Sequence, residues 1–302
     1  MRALIGAAAA LTVSLAACQP AGESAGSASL AVTVDTVAAA DGVPIVYDVR
    51  GTGEPTLVFV HCWACDRTFW KGQLDTLAAA HRVVSLDLPG HGESGKTRAA
   101  WSYAGLAADV QTVADALRLD RMVLVGHSLG GPVSLLAAGR MPGRVEGVVC
   151  VDALHNADFV FPRALSEQMM AAFHADFPAQ VGRMMDMMFP PAADTAVKRW
   201  VVDKAVAADT GAVLSIIADY PNYDEKAALA AAGAPVRCIN AAPSTPASMV
   251  TNIEANRKYA DFDAVLMENV GHFLHLERPA EFNALLIQTL DRLAAGRDTT
   301  GG

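Results

Sequence analysis

Strands alternating with helices along most of the chain predict an α/β protein built on a mostly parallel sheet, with helices on both faces. Two observations carry this, and a third marks where the pattern breaks. Short, almost wholly apolar runs, such as Thr56-Leu57-Val58-Phe59-Val60 and Val145 to Val151, have the character of strands buried on both faces. Segments with helical spacing of apolar residues separate them, among them Tyr103 to Leu117. Between residues 154 and 232 the alternation stops, and helical patterns continue without a clear strand.

In chain order, Leu30 to Ala38 and Val43 to Val49 alternate apolar and polar residues around Asp41-Gly42, which predicts a hairpin. Thr56 to Val60 is the third strand and runs into His61-Cys62-Trp63. Asp66 to Ala80 is helical in pattern. Arg82 to Leu86 is the fourth strand, followed by the turn-rich Asp87-Leu88-Pro89-Gly90-His91-Gly92-Glu93-Ser94. After the helix at Tyr103 to Leu117, the fifth strand ends in Gly126-His127-Ser128-Leu129-Gly130-Gly131, with a helix-compatible segment from Pro132 to Met141. The sixth strand, Val145 to Val151, ends at Asp152. Beyond the helical stretch come a strand at Val236 to Ile239, a helix near Ser248 to Tyr259, a strand at Asp263 to Met267, Gly271-His272, and a last helix from Pro279 to Ala295. The helices after Asp152 would lie over the C-terminal ends of the strands, where open α/β sheets place their ligands.

The 302 residues are 52% hydrophobic and 18% charged, enough to bury a sizeable core. A net charge of −9 offers no basic patch to neutralise phosphates and argues against a nucleic-acid partner. Met1-Arg2 is a short basic start. Ala3 to Ala16 is apolar but too short for an ordinary membrane span. Gln19 to Ser29 is rich in Ala, Gly and Ser and reads as a flexible tether. Cys150 and Cys238 lie in apolar strand-like runs and are expected to be buried. Cys62-x-x-Cys65 could form a disulfide in an oxidising compartment. A thioredoxin-like redox site lacks its flanking pattern here, and the cysteine spacings do not suit zinc.

Gly-x-Ser-x-Gly between a strand and a helix is the context of a nucleophile elbow. Gly126 and Gly130 remove side chains that would collide with backbone at such a turn, leaving Ser128 exposed at the strand tip. A serine hydroxyl needs a base, and the base an orienting acid. His272, after a glycine at the end of the last strand, is the candidate base; His275 is expected to be structural, and in proteins of similar pattern histidines placed like His61, His91 and His127 support loops.

Taken together and in order, these four strand-end motifs resemble the α/β-hydrolase superfamily from about residue 35 to 295. The resemblance implies an eight-stranded, mostly parallel sheet with a helical cap inserted after strand six. The core would comprise residues 35–152 and 233–296, and the cap 153–232. It further implies a serine hydrolase working through an acyl-enzyme, with no metal or organic cofactor. Backbone amides of Trp63 and Leu129 would form the oxyanion hole, although Cys62 replaces the usual glycine of the first motif. The family most often places its acid after strand seven, where Asn240-Ala241-Ala242-Pro243-Ser244-Thr245-Pro246 has no carboxylate. A subset, including some haloalkane dehalogenases, carries it after strand six, so Asp152 is the expected acid. Glu254 is the runner-up, followed by Asp261 and Asp263.

A carboxylic ester with an apolar acyl or aromatic group is the expected substrate. Lactones, amides and C–C bonds beside a carbonyl use the same residues. Ser rather than Asp at the elbow argues against dehalogenase and epoxide-hydrolase chemistry. A non-catalytic binding protein on this fold is the rival reading. Met169, Met170, Met184, Met185, Met187 and Met188, with Phe173, Phe177, Phe189 and Trp200, would pack the cap or shape a malleable apolar pocket.

Leu15-Ala16-Ala17-Cys18 resembles the lipobox of bacterial lipoproteins. That implies a signal peptide over residues 1–17, lipid on Cys18, a tether over 18–34, and an exported protein held on a membrane. Residue 20 is Pro rather than Asp, which in a Gram-negative host resembles outer-membrane sorting, with the enzyme facing the periplasm.

Overall fold

A computed structural model describes residues 31–245 and 248–298. The expected signal peptide, Cys18 and most of the tether therefore lie outside the described residues. Eight strands form one sheet: β1 (Thr33–Ala38), β2 (Pro44–Arg50), β3 (Thr56–Val60), β4 (Val83–Leu86), β5 (Met122–His127), β6 (Val145–Val151), β7 (Val236–Ala241) and β8 (Phe262–Met267). Their order is β1-β2-β4-β3-β5-β6-β7-β8. The β1–β2 hairpin is antiparallel, with Thr33 opposite Val49 and Ala38 opposite Pro44, and β2 is antiparallel to β4. Every other pairing is parallel. β1 already pairs at Thr33, so the expected tether stops short of residue 34.

The helices are α1 (Leu74–Ala78), α2 (Tyr103–Ala116), α3 (Gly130–Arg140), α4 (Arg163–Ala175), α5 (Phe177–Met187), α6 (Thr195–Val206), α7 (Thr210–Ala218), α8 (Glu225–Ala231), α9 (Ile253–Arg257), α10 (Leu274–Glu277) and α11 (Pro279–Asp298). β3, β4 and β5 are buried at every residue, as strands covered on both faces must be. Successive side chains of β3 divide between two cores. Leu57 and Phe59 join Phe282, Leu286 and Leu290 of α11, while Val58 and Val60 join Leu106 and Val110 of α2 and Val133 of α3. Fully burying one such side chain is worth about 1.5–3 kcal/mol.

Two expected helices come out shorter. Residues 66–80 form a 3₁₀ turn at Arg67–Trp70 and then only the short α1. Gly72 lies between them, where a Cβ would come within 3.1 Å of Pro279. The helix expected near Ser248 to Tyr259 is confined to Ile253–Arg257 and opens on Asn252, whose side chain accepts from the Ala255 amide. α3 starts earlier than its apolar pattern, at Gly130.

Five helices, α4 to α8, connect β6 to β7 and form a helical insert. Asp176, Asp194, Asp209 and Asp224 cap four of them through side-chain bonds to backbone amides.

Candidate active site

The elbow is built by close backbone approach. A Cβ on Gly126 would sit 2.1 Å from the Gly130 carbonyl oxygen, and one on Gly130 would sit 2.2 Å from that of Val60. Only glycine lets β5, α3 and β3 converge this tightly. Ser128 takes the left-handed conformation, with φ +51°, which is strained for a residue with a side chain. It is held there by its amide, which donates to Val151 O at 3.0 Å, and by its carbonyl, which accepts from the Gly131 amide at 2.9 Å. Leu129 stands immediately before α3, where the helix presents its positive end.

β6 delivers Asp152, also left-handed, with φ +43°. Its Oδ1 accepts from the Ala241 amide at 2.8 Å, and its Oδ2 lies 2.6 Å from His272 Nδ1. A carboxylate accepts, so Nδ1 carries the hydrogen, and Nε2 is the ring nitrogen left for a reactant. Both side chains are largely buried, at 10% and 16% exposure, which strengthens the bond between them. His155 Nε2 lies 3.8 Å from Asp152 Oδ1, and burial pushes this histidine below its usual range. The other acids considered lie elsewhere: Glu254 and Asp263 pair with Arg257, and Asp261 pairs with Arg237.

His272 is fastened to the insert. Its amide donates to Met188 O at 2.9 Å. A Cβ on the preceding Gly271 would stand 2.1 Å from that same oxygen, so glycine is required for the approach. The Gly271 amide donates to the Glu277 carboxylate at 2.9 Å. Burial pushes Glu277 up to about 7. His127 Nε2 donates to the His272 carbonyl at 2.8 Å. Burial, with His275 and His272 beside it, holds His127 neutral, far below the usual histidine range. His275 is fully buried against Trp70 and lowered to about 3 by burial.

The loop after β3 is fixed by His61. Its Nδ1 donates to Cys62 O at 2.7 Å, and its Nε2 accepts from the Leu88 amide at 2.9 Å. A disulfide joins Cys62 to Cys65 and brackets Trp63. The Trp63 indole donates to Val213 O of α7 at 2.7 Å. Asp87 is fully buried and accepts from the amides of Arg67 and Glu93 and from the Arg67 guanidinium. The turn after β4 is therefore held by its own carboxylate. Cys150 and Cys238 are free, buried and side by side on β6 and β7.

Ser128, Asp152, His272, Trp63 and Leu129 all line one cavity of about 330 Å³. Met169 and Met188 of the insert line it too, whereas Met185 and Phe189 are buried in the core and Met187 is exposed. A second cavity of about 210 Å³, lined by Glu54, His81 and Glu146 at the other end of the sheet, contains none of the candidate residues.

Two residues with a part in this geometry escaped the sequence reading. Asn240 is buried near the end of β7, where its amide group clamps Ala153 by donating to its carbonyl at 3.1 Å and accepting from its amide at 3.2 Å. It therefore steadies the residue next to Asp152. Glu225 lines the cavity, although in sequence it reads as an ordinary acidic residue in the first turn of a helix.

A serine at a strained elbow, beside a histidine–carboxylate pair in a cleft at the strand ends, marks the class of α/β-fold hydrolases. The chain belongs to the alpha/beta hydrolase family, whose model matches residues 57–285. It is 38% identical over 120 residues to the dihydrolipoyllysine-residue acetyltransferase component of an acetoin cleaving system from Cupriavidus necator, over 40% of this chain and 32% of that one. The chain thus spans about a third of that curated relative. Its fold is similar to a bacterial membrane phospholipase A described as a virulence factor, with 27% identity, a TM-score of 0.71 and coverage of 87% of each chain. It is also similar to Est816, an N-acyl homoserine lactone degrading enzyme, with 26% identity, a TM-score of 0.69 and coverage of 82% and 97%.

Proposed function

We propose that the protein is a serine hydrolase that cleaves carboxylic esters through an acyl-enzyme. Ser128 attacks the carbonyl carbon as His272 Nε2 takes its proton, and Asp152 holds the imidazole and stabilises its charged form. The amides of Leu129 and Trp63 receive the developing oxyanion. His272 returns the proton to the leaving alcohol. Water then attacks the acyl-enzyme by the same route and frees the acid. The observation that carries this reading is the 2.6 Å bond between His272 Nδ1 and Asp152 Oδ2 in the cavity that Ser128 lines.

An ester is favoured by the similarity to a phospholipase, and a lactone is the second reading because of the similarity to Est816. The helical insert serves as a cap over the cavity. On the same proposal the chain is exported, cleaved before Cys18 and anchored by lipid there. The Cys62–Cys65 disulfide suits such an oxidising compartment.

Labelling by a fluorophosphonate probe tests the mechanism. Wild-type protein is expected to label, Ser128→Ala not at all, and Asp152→Asn about 10³- to 10⁴-fold more slowly. Unslowed labelling of Asp152→Asn would remove Asp152 from the mechanism. Unlabelled wild-type protein would favour a binding protein on this fold.

A further inference from the structure

One wall of the cavity combines aromatic rings with a carboxyl group that makes no ion pair among the described residues. Tyr103 opens α2, and Phe161, Tyr220 and Glu225 belong to the segment between β6 and β7; all four line the cavity. The rings touch one another, with centroids 6.2 Å apart for Tyr103 and Tyr220 and 6.1 Å for Phe161 and Tyr220. Burial raises the phenols of Tyr220 and Tyr223, and the nearby Glu225 adds to both shifts.

Glu225 Oε1 is buried without a hydrogen-bond partner, and so is the Tyr223 hydroxyl. No ion pair among the described residues involves Glu225, and the adjacent Lys226 turns to Asp158 at 3.2 Å. Burial, with nothing to offset it, pushes the carboxyl up to about 7. Such a group costs free energy unless a partner meets it. No Lys or Arg among the described residues lines the cavity, and its other carboxylate, Asp152, is bonded to His272 and to the Ala241 amide. An anionic ligand would therefore meet only like charge. An alkylammonium group would pair with the carboxylate and lie against electron-rich ring faces.

We propose that Glu225, flanked by Tyr103, Tyr220 and Phe161, determines specificity by selecting substrates that carry an alkylammonium group. The inference rests on the reading of this cavity as the substrate site of a hydrolase. A neutral donor would pair with the Glu225 carboxyl but gain less from the rings.

Choline and its uncharged carbon isostere, with tert-butyl in place of trimethylammonium, separate these cases. Calorimetric titration of the full chain is expected to show choline binding about tenfold tighter than the isostere, a preference that Glu225→Gln erases. Equal affinities in the wild type, or a preference that survives Glu225→Gln, would overturn the proposal. The wild-type comparison decides it even if the variant does not fold.

Turnover locates the charge on the substrate. Choline butyrate is compared with its tert-butyl counterpart for the alcohol side. The para-nitrophenyl ester of trimethylammonio-butanoate is compared with its carbon counterpart for the acyl side. A raised kcat/KM in either pair that depends on Glu225 supports the proposal and names the side. Selective choline binding without turnover of any ester, together with absent fluorophosphonate labelling, would instead sink the hydrolase reading and leave the ammonium site standing.

Discussion

The central sheet and the helical insert treat burial differently. β3, β4 and β5 are buried at every position, and their ends carry the elbow and the loop after β3. In the insert, α4 buries only Ser166 and Phe173, and α6 only Val201 and Ala205. The sheet fixes Ser128 and Asp152 by backbone geometry that tolerates no added atom. The insert contributes cavity wall, where Met169, Met188 and Glu225 present side chains that can change without breaking the scaffold. Precision for chemistry and freedom for recognition thus sit on separate parts of the chain.

The largest expected effect comes from adding one methyl group to the sheet. Gly126→Ala places a Cβ 2.1 Å from Gly130 O, against backbone that cannot move without dismantling the elbow. It should cost at least about 4 kcal/mol, read by urea denaturation. Near-wild-type stability would show that the sheet is as accommodating as the insert.

A middle-sized effect is expected in the insert, through pH. Glu225 titrates near about 7 when folded and near the ordinary 4.5 when unfolded. Between those values the native state binds more protons than the unfolded state. The stability this group contributes is therefore present below about pH 4.5 and lost as pH rises through about 7. Relative to Glu225→Gln, the wild type should lose on the order of 2 kcal/mol between pH 5 and pH 8. Parallel stability curves for the two proteins would contradict this.

The smallest effect lies where the two regions touch. Trp63→Phe keeps an aromatic ring but removes the bond to Val213 O of α7, whose own loss should cost about 1 kcal/mol beyond the cavity left by the smaller ring. A loss several times larger, seen in the same denaturation experiment, would mean that sheet and insert unfold as one tightly coupled unit.

Much of the sheet was legible because its strands are apolar runs with punctuated ends, and the spacing of Gly126, Ser128 and Gly130 encodes the turn itself. Asp152 was legible as the residue closing an apolar strand. The rest depends on long-range contact. Gly72, between the 3₁₀ turn and α1, sits against Pro279, more than 200 residues away. Asn240 gains its role from Ala153, 87 residues before it. Glu225 looks like an acidic residue suited to a helix start, and only tertiary packing buries its Oε1 without a hydrogen-bond partner.

The bond between the His272 amide and Met188 O has a mechanical meaning. Met188 directly follows α5, so the histidine is latched to the element that would have to lift for bulky ligands to pass. If the insert moves as the proposed cap, it would pull on the His272 backbone, and access and proton transfer would become two readings of one latch. On the proposed mechanism, a cavity opened by that route would also have its base displaced, and would regain its geometry on closing.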